Sequence, residues 1–319
     1  MSRFKVIKYR PEMKETWDAF VKTARNATFL FLRDYMDYHA DRFPDCSWMV
    51  YKGNKPVALL PANLTADLTL HSHQGLTYGG WILPHGHINA ADTLEIFEDA
   101  IAIWKAEGIT SLDYKPIPYI YTATPSDDAE YALFRLGAVL TEANVSSALP
   151  LIHGIDATAH YNKLRRRALA KTAELDYKIY QTDDATEIMG LVEQCLSDRH
   201  DTKPVHTSEE MQRLKLHFPE NIHFWILEYG GAAQAAVCIY DTGRVAHAQY
   251  IASTPQGRSL NLLTPLFTHL ITREYAEREY FDFGTSNEDH GLYLNEGLLR
   301  QKSSFGATAM LHRRYRLTF

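Results

Sequence analysis

The chain has 319 residues, 45% of them hydrophobic and 23% charged, with a formal net charge of −6. At roughly 100–200 residues per domain this is enough for two domains with their own cores. The negative balance argues against a generalised nucleic-acid or membrane-surface binder, though a local basic groove stays open. Cys46, Cys195 and Cys238 are scattered without a CxxC pair, so they read as reduced thiols.

The N-terminal stretch MSRFKVIKYRPEMKE has no apolar leader core, and no run approaches ~18 uninterrupted apolar residues. A soluble, cytoplasmic protein without membrane insertion is expected. Helices are predicted over Trp17–Thr23 and Leu32–His39. Trp48–Tyr51 and Val57–Leu60 flank Gly53-Asn54, a hairpin signal. A strand is expected over His71–Tyr78. A helix over Asp92–Glu107 follows, with Leu94, Phe97, Ile101 and Trp104 on one face. Gly108 ends it, and Ser111–Tyr114 reads as a strand.

The same order then returns. Helical Ala185–Ser197 precedes the strands Phe224–Glu228, Ala235–Tyr240 and Val245–Ile251, with turns at Gly230-Gly231 and Asp241–Gly243. A long helix is predicted over Leu260–Arg278, and Tyr280–Phe283 closes the copy. Asp113 and Asp282 occupy equivalent places in the two copies. A repeat this long means duplicated domains, here 1–145 and 146–319, joined between Glu142 and Tyr180. Each is mixed α+β: helices, an antiparallel meander, a helix, and a strand beside the meander. The joining stretch carries Lys163, Arg165, Arg166, Arg167 and Lys171 on a basic helix, which is either a solvated face or a contact for phosphates. Arg199 and His200 are weaker candidates of the same kind. No GxGxxG, GxxxxGK[ST] or GxSxG is present, which disfavours Rossmann cofactors, P-loop nucleotides and a hydrolase triad.

Candidate chemistry gathers after the last strand of the second copy, where Gly284-Thr285-Ser286 leads into a polar loop and then Leu298–Lys302 and Phe305-Gly306. Loops at strand ends can aim side chains into a crevice, and Asp282, Asn287, Tyr293, Asn295, Glu296 and Lys302 sit on that exit side. The histidine pairs His71/His73 and His85/His87 can converge on zinc or line a polar acceptor cleft. Pro84 and Gly86 and the lack of HExxH favour the cleft, so no metal is expected. Tyr78 and Trp81 add an aromatic face suited to a sugar or peptide, and Arg33, Asp34, Tyr35 and His39 can rim the same cleft or be ordinary surface residues.

The element order, the connector YNKLRRRALAKTAEL, the run NIHFWILEYGGAAQAAVCIY and the ending FDFG…GLYLNEGLLRQKSSFGA resemble the FemAB-like group of tandem GNAT (GCN5-related N-acetyltransferase) proteins. The resemblance implies two tandem GNAT-like acyltransferase domains, each a mostly antiparallel central sheet flanked by helices. It implies transfer of an acyl group to an amine, from acetyl-CoA or another acyl-CoA in GNAT enzymes and from aminoacyl-tRNA in FemAB peptidyltransferases. The pyrophosphate turn of GNAT enzymes matches Thr254–Ser259, where Gln256, Gly257, Arg258 and Ser259 precede Leu260. Phosphate contact at a helix N-terminus and an ordinary turn capped by Ser259 are the alternatives. Only one glycine is present, and the first copy offers only Pro84–His87. The donor site is therefore expected in the second copy, and acceptor binding or a structural role in the first. Lys302, in the family's ending, is implied to lie near the donor's phosphate or reacting carbonyl, or else is solvated. The base is sought among Asp282, Glu296 and His290, with Tyr293 as an acid for the leaving thiolate, although Asp282 reads more readily as a strand-end carboxylate satisfied by backbone N–H groups and Glu296 equally as a surface charge. Asn287 is placed with the donor.

The expected function is N-acyl transfer from acyl-CoA to a small amine acceptor, such as an amino sugar or an envelope or glycan precursor. An aminoacyl-tRNA-dependent peptidyltransferase and a non-catalytic binding protein are the alternatives. A tRNA partner is less favoured because no coiled-coil insertion is evident, and no DNA partner is expected.

Overall fold

The computed structural model describes residues 3–200 and 204–319, the side chains of residues 198–200 excepted. Arg199 and His200 therefore fall outside the described side chains. Two compact units are present: Met1–Val145 with Asp289–Tyr293 and Leu311–Phe319, and Ser146–Glu288 with Leu294–Met310. In chain order the strands are β1 (Lys5–Lys8), β2 (Trp48–Lys52), β3 (Lys55–Leu60), β4 (Asn63–Leu64), β5 (Thr69–His71), β6 (Ser111–Tyr114), β7 (Val139–Pro150), β8 (Tyr177–Thr182), β9 (Ile222–Tyr229), β10 (Ala232–Asp241), β11 (Val245–Ser253), β12 (Tyr280–Thr285), β13 (Asn287–Glu288), β14 (Tyr293–Leu294) and β15 (Thr308–Thr318).

In the first unit β1, β2 and β3 form an antiparallel sheet, and Gly53 turns the β2–β3 hairpin at φ +61°. A second sheet pairs β4 antiparallel to β5, β5 parallel to β6, and β6 antiparallel to the end of β15. The helix Ala90–Ala106 starts at a capping box. The Asn89 side chain accepts from the Ala91 and Asp92 N–H groups, and the Asp92 carboxylate accepts from the Asn89 N–H. This satisfies donors the first turn would otherwise leave orphaned. Ile96, Phe97, Ala100 and Trp104 form its buried stripe, packed with Trp48 and Trp81.

The second unit orders its strands β7–β12–β11–β10–β9–β8, antiparallel except for the β11–β12 pair. Its core holds Phe267, Phe281, Phe283 and Phe305, the last stacked on Phe283 with ring centroids 5.2 Å apart. Each such ring contributes roughly 1.5–3 kcal/mol by leaving water. The helix Lys163–Thr172 starts at Asn162, whose side chain accepts from the Arg165 N–H. Among the described residues no helix is long and apolar enough to cross a membrane.

Several expectations are corrected. The strand expected over His71–Tyr78 stops at His71, because His73 takes a left-handed φ of +68° that extended backbone cannot continue through. The long helix expected over Leu260–Arg278 is two pieces, Pro255–Ser259 and Leu263–His269, the latter running into a π turn over Leu270–Glu274. Asn261, at φ +60°, breaks them apart. β7, β8, β15 and the helices Asp128–Arg135 and Ser208–His217 add to the predicted elements. β15 reads TAMLHRRYRLT, whose basic residues mask its alternation in sequence.

Candidate active site

The site is built where two neighbouring parallel strands part. β11 pairs with β12 at Val245↔Tyr280, Ala246↔Phe281 and His247↔Asp282, and the ladder stops there. Just beyond, the pairing of β11 on β10 skips Gln249: Ile239 faces Ala248, but Cys238 faces Tyr250. An extra residue of this kind bends and twists the strand that carries it. β11 is thereby steered away while β12 continues to Thr285, opposite Ser146 of β7. The opening holds a cleft of about 130 Å³ lined by Ile251 and Ser253 of β11, Phe283 of β12, and Phe267, Leu298, Phe305, Cys195, Arg258, Gln301 and Lys302. It is smaller than a typical pocket for a whole drug-sized ligand, but its apolar walls with a few polar groups match the chemistry of small-molecule sites.

Lys302 is the buried cation of the cleft. It lies in the last turn of the helix Glu296–Ser303, and its Nζ donates to the backbone oxygens of Gly284 (2.9 Å) and Thr285 (2.6 Å). Burial pushes its pKa down to about 8, a shift that the nearby Asp282 charge opposes. Such an ammonium, short of water, is worth far more to a developing negative charge than a solvated one.

Asp282 is fully buried. Its Oδ1 accepts from Ser146 Oγ (2.6 Å) and from the Gly284 N–H (2.9 Å), and its Oδ2 lies 3.0 Å from His247 Nδ1. Of the two readings of Asp282, a proton acceptor or a strand-end carboxylate satisfied by its neighbours, its burial and the Gly284 N–H bond fit the second. It holds the residue beside it. His247 was not singled out from sequence. Aligning the two copies on Asp113 and Asp282 would have found it, because His71 pairs with Asp113 across β5 and β6 as His247 does with Asp282.

The turn after β11 is capped by Thr254, whose Oγ1 accepts from the Gly257 N–H (3.0 Å). Ser259 is the last helical residue and not the cap, a correction; its Oγ donates to the Gln256 carbonyl (2.8 Å). Gly257 is needed for close approach, since an added Cβ would fall 2.3 Å from the Gln234 carbonyl oxygen. Arg258 reaches the cleft and donates to the Ser253 carbonyl (2.5 Å), while Gln256 is exposed and accepts from Gln234 Nε2 (3.2 Å). Arg258 and Lys302 are thus brought to one cleft; Gln256 and Ser259 share Arg258's helix without lining it.

The remaining expected residues lie apart from this lining. Glu296 is exposed at the first turn of its helix and pairs with Arg300. Tyr293 is 58% exposed on β14, Asn287 is half-buried on β13, and His290 is exposed at φ +52°. In the first unit the expected acceptor cleft is not formed by the residues proposed for it. Arg33 is buried between Asp37 and Asp45, with its guanidinium 4.0 Å from the Tyr9 ring centre. Tyr35 and Tyr78 are buried, and Trp81 stacks on Trp104 at 6.3 Å inside the core. His73 is buried and desolvation holds its pKa well below the usual imidazole range, whereas His85 and His87 are exposed. His71 is held by Asp113 and Thr65. Among the described residues no group of three or more His, Cys, Asp or Glu is placed to hold a metal.

A duplicated helix–meander–helix–strand plan that opens between parallel strands is the GNAT fold in tandem. Residues 158–290 match the family described as acetyltransferase (GNAT) domain. The chain has the fold of the FemAB-like tandem GNAT superfamily. FemX is similar over 99% of this chain and 97% of its own, with 11% identity and a TM-score of 0.70. A tandem GNAT protein from the clavulanic acid biosynthesis pathway is similar over 99% and 98%, with 12% identity and a TM-score of 0.56. L-PGS from Bacillus licheniformis is similar over 98% and 92%, with 12% identity and a TM-score of 0.59. Sequence comparison with proteins of curated function returns no match.

Proposed function

We propose that this protein is an N-acyltransferase that binds the acyl end of an acyl-CoA in the cleft of the second unit and transfers it to an amine. The open end of the β11–β12 ladder carries this reading. Its lining is apolar enough for an acyl chain and its lysine suits a carbonyl becoming an oxyanion. The amine nitrogen attacks the thioester carbon, the N–C bond forms, the C–S bond breaks, and the thiolate leaves. Arg258 and the turn it sits on are the proposed contact for the donor's phosphates. Amino sugars and envelope precursors are the acceptors considered. Calorimetric titration with acetyl-CoA and longer acyl-CoAs tests the reading: binding is expected in the micromolar range, weakened about tenfold by Arg258→Ala, since one charge-assisted contact is worth ~1.5–3 kcal/mol. Silence with every acyl-CoA ends it.

One feature favours aminoacyl-tRNA as donor instead. A second groove shares Gln301 with the cleft and is lined by Arg165 and Arg300. Lys163, Arg166, Arg167 and Lys171 are exposed on the helix that supplies Arg165. Binding of tRNA with a steep salt dependence, together with no response to acyl-CoA, would select this reading.

A further inference from the structure

Resting on the acyl-transfer reading, we propose that His247 is the general base of the reaction and that Asp282 is its positioning residue. The two meet at the last rung of the β11–β12 ladder, with His247 Nδ1 3.0 Å from Asp282 Oδ2. Asp282 is 0% exposed at the side chain and His247 12%, so the imidazole is the member of the pair that solvent or an amine can reach. An ionised carboxylate only accepts hydrogen bonds, so Nδ1 carries the proton and donates. That tautomer assigns proton uptake to Nε2. Ser146 Oγ and the Gly284 N–H also donate to Asp282 and fix the carboxylate.

Position ties the pair to the cleft. Gly284 lies two residues beyond Asp282. A Cβ built on it would stand 3.5 Å from His247 Cε1, while its carbonyl oxygen accepts from Lys302 Nζ at 2.9 Å. The imidazole, the glycine backbone and the ammonium therefore follow one another across the vertex of the splay. A proton acceptor on one side and a cation on the other is what amine attack on a carbonyl requires. As the N–C bond forms, the amine proton passes to His247 Nε2 and the carbonyl oxygen gains charge near Lys302. As the C–S bond breaks, the proton is returned to the leaving thiolate.

The first unit carries the same pair in a different setting. His71 Nδ1 is 3.3 Å from Asp113, but its Nε2 is bonded to Thr65 Oγ1 at 3.2 Å, and Arg316 grips Asp113 with two bonds of 3.0 and 2.7 Å. Those bonds fasten His71 to Thr65 and Asp113 to Arg316.

The test follows CoA release from acetyl-CoA, with glucosamine or water as nucleophile, in wild type, His247→Gln, His247→Ala and Asp282→Asn, alongside ¹⁵N imidazole spectra. The expected result is a fall of ~10²–10⁴ in kcat for His247→Gln with donor KM unchanged. Imidazole added to His247→Ala restores part of the rate. Wild type shows the Nδ1–H tautomer with a His247 Nε2 resonance that shifts on acetyl-CoA binding, and Asp282→Asn loses that tautomer. Turnover in His247→Gln within about threefold of wild type, an Nε2–H tautomer, or a resonance unmoved by bound donor overturns the assignment while leaving the transferase reading intact. Wild type that binds no acyl-CoA overturns both, and the titration alone reveals it.

Discussion

Two His–Asp corners in one chain have been put to opposite uses. In the second unit, the strands beyond His247 and Asp282 part over an open cleft. In the first unit, the space beyond His71 and Asp113 is filled by the chain itself. Ser72 N donates to the Asp113 carbonyl, Gly79 N to the Lys115 carbonyl, and Tyr114 Oη accepts from the Trp81 N–H at 2.7 Å. A Cβ on Gly79 would lie 1.9 Å from the Ser72 carbonyl oxygen and one on Gly80 2.4 Å from Tyr114 Oη. Backbone packed this tightly leaves no room for a side chain at Gly79 or Gly80. Duplication supplies two vertices, and what lies beyond each decides whether it becomes a site or a seam.

The sharpest way to break this contrast is Asp113→Asn. Although burial opposes it, hydrogen bonds from His71 and Arg316 hold Asp113 well below the usual carboxylate range. Its folded pKa is depressed, so its contribution is present above the unfolded value near ~3.9 and is lost as pH falls below it. Asp113 is buried but Arg316 is exposed, so loss of the carboxylate costs about 1–3 kcal/mol through the hydrogen bonds left unmade. Urea denaturation at neutral pH is expected to show that loss, shrinking on acidification, with kcat per folded molecule unchanged. A catalytic defect in well-folded Asp113→Asn would mean the first corner is not merely structural.

Lys302→Met is the reciprocal test. Loss of one charge-stabilising donor costs ~10²–10³ in kcat, roughly 2.7–4 kcal/mol. The first unit has a desolvated lysine of its own, Lys115, whose Nζ donates to the Leu76 carbonyl and whose pKa is pushed to about 7 by desolvation and the Arg314 charge. Lys115→Met should leave kcat within about threefold. Equal losses in the two variants would erase the distinction between the corners.

Gly80→Ala comes next. It combines a φ of +89° with a clash against Tyr114, for an expected loss of about 1–3 kcal/mol of stability without a change in donor affinity. The smallest effect is in pH. Lys302 loses its charge as pH rises through about 8, so kcat is expected to fall above that value. Lys302→Arg should move this limb beyond the measured range, because a guanidinium stays charged. A limb unmoved in Lys302→Arg would assign it to another group.

Much of the fold was legible in the chain. The duplicated order, the Gly53-Asn54 hairpin, the helix capped at Asn89 and the strands from Phe224 to Ile251 all follow from local signals, since periodicity and capping act over a few residues. The cleft was legible only as a neighbourhood: Lys302 and Arg258 were named, but Cys195, Ile251, Phe267 and His247 were not. The acceptor residues were misjudged for a related reason. Trp81, Tyr78 and Arg33 are the residue types that build binding surfaces, and the same types fill cores when rings or carboxylates surround them.

Sequence by itself determined the locally signalled elements, such as the β2–β3 hairpin and β9 to β11, and that the plan occurs twice. Tertiary structure alone decided which vertex is open, because that rests on one unpaired residue at Gln249 and on where the backbone after His71 turns. It also decided that Asp282 is sealed while His247 is reachable. Burial and register sum contacts from residues far apart in the chain, and no local pattern encodes that sum.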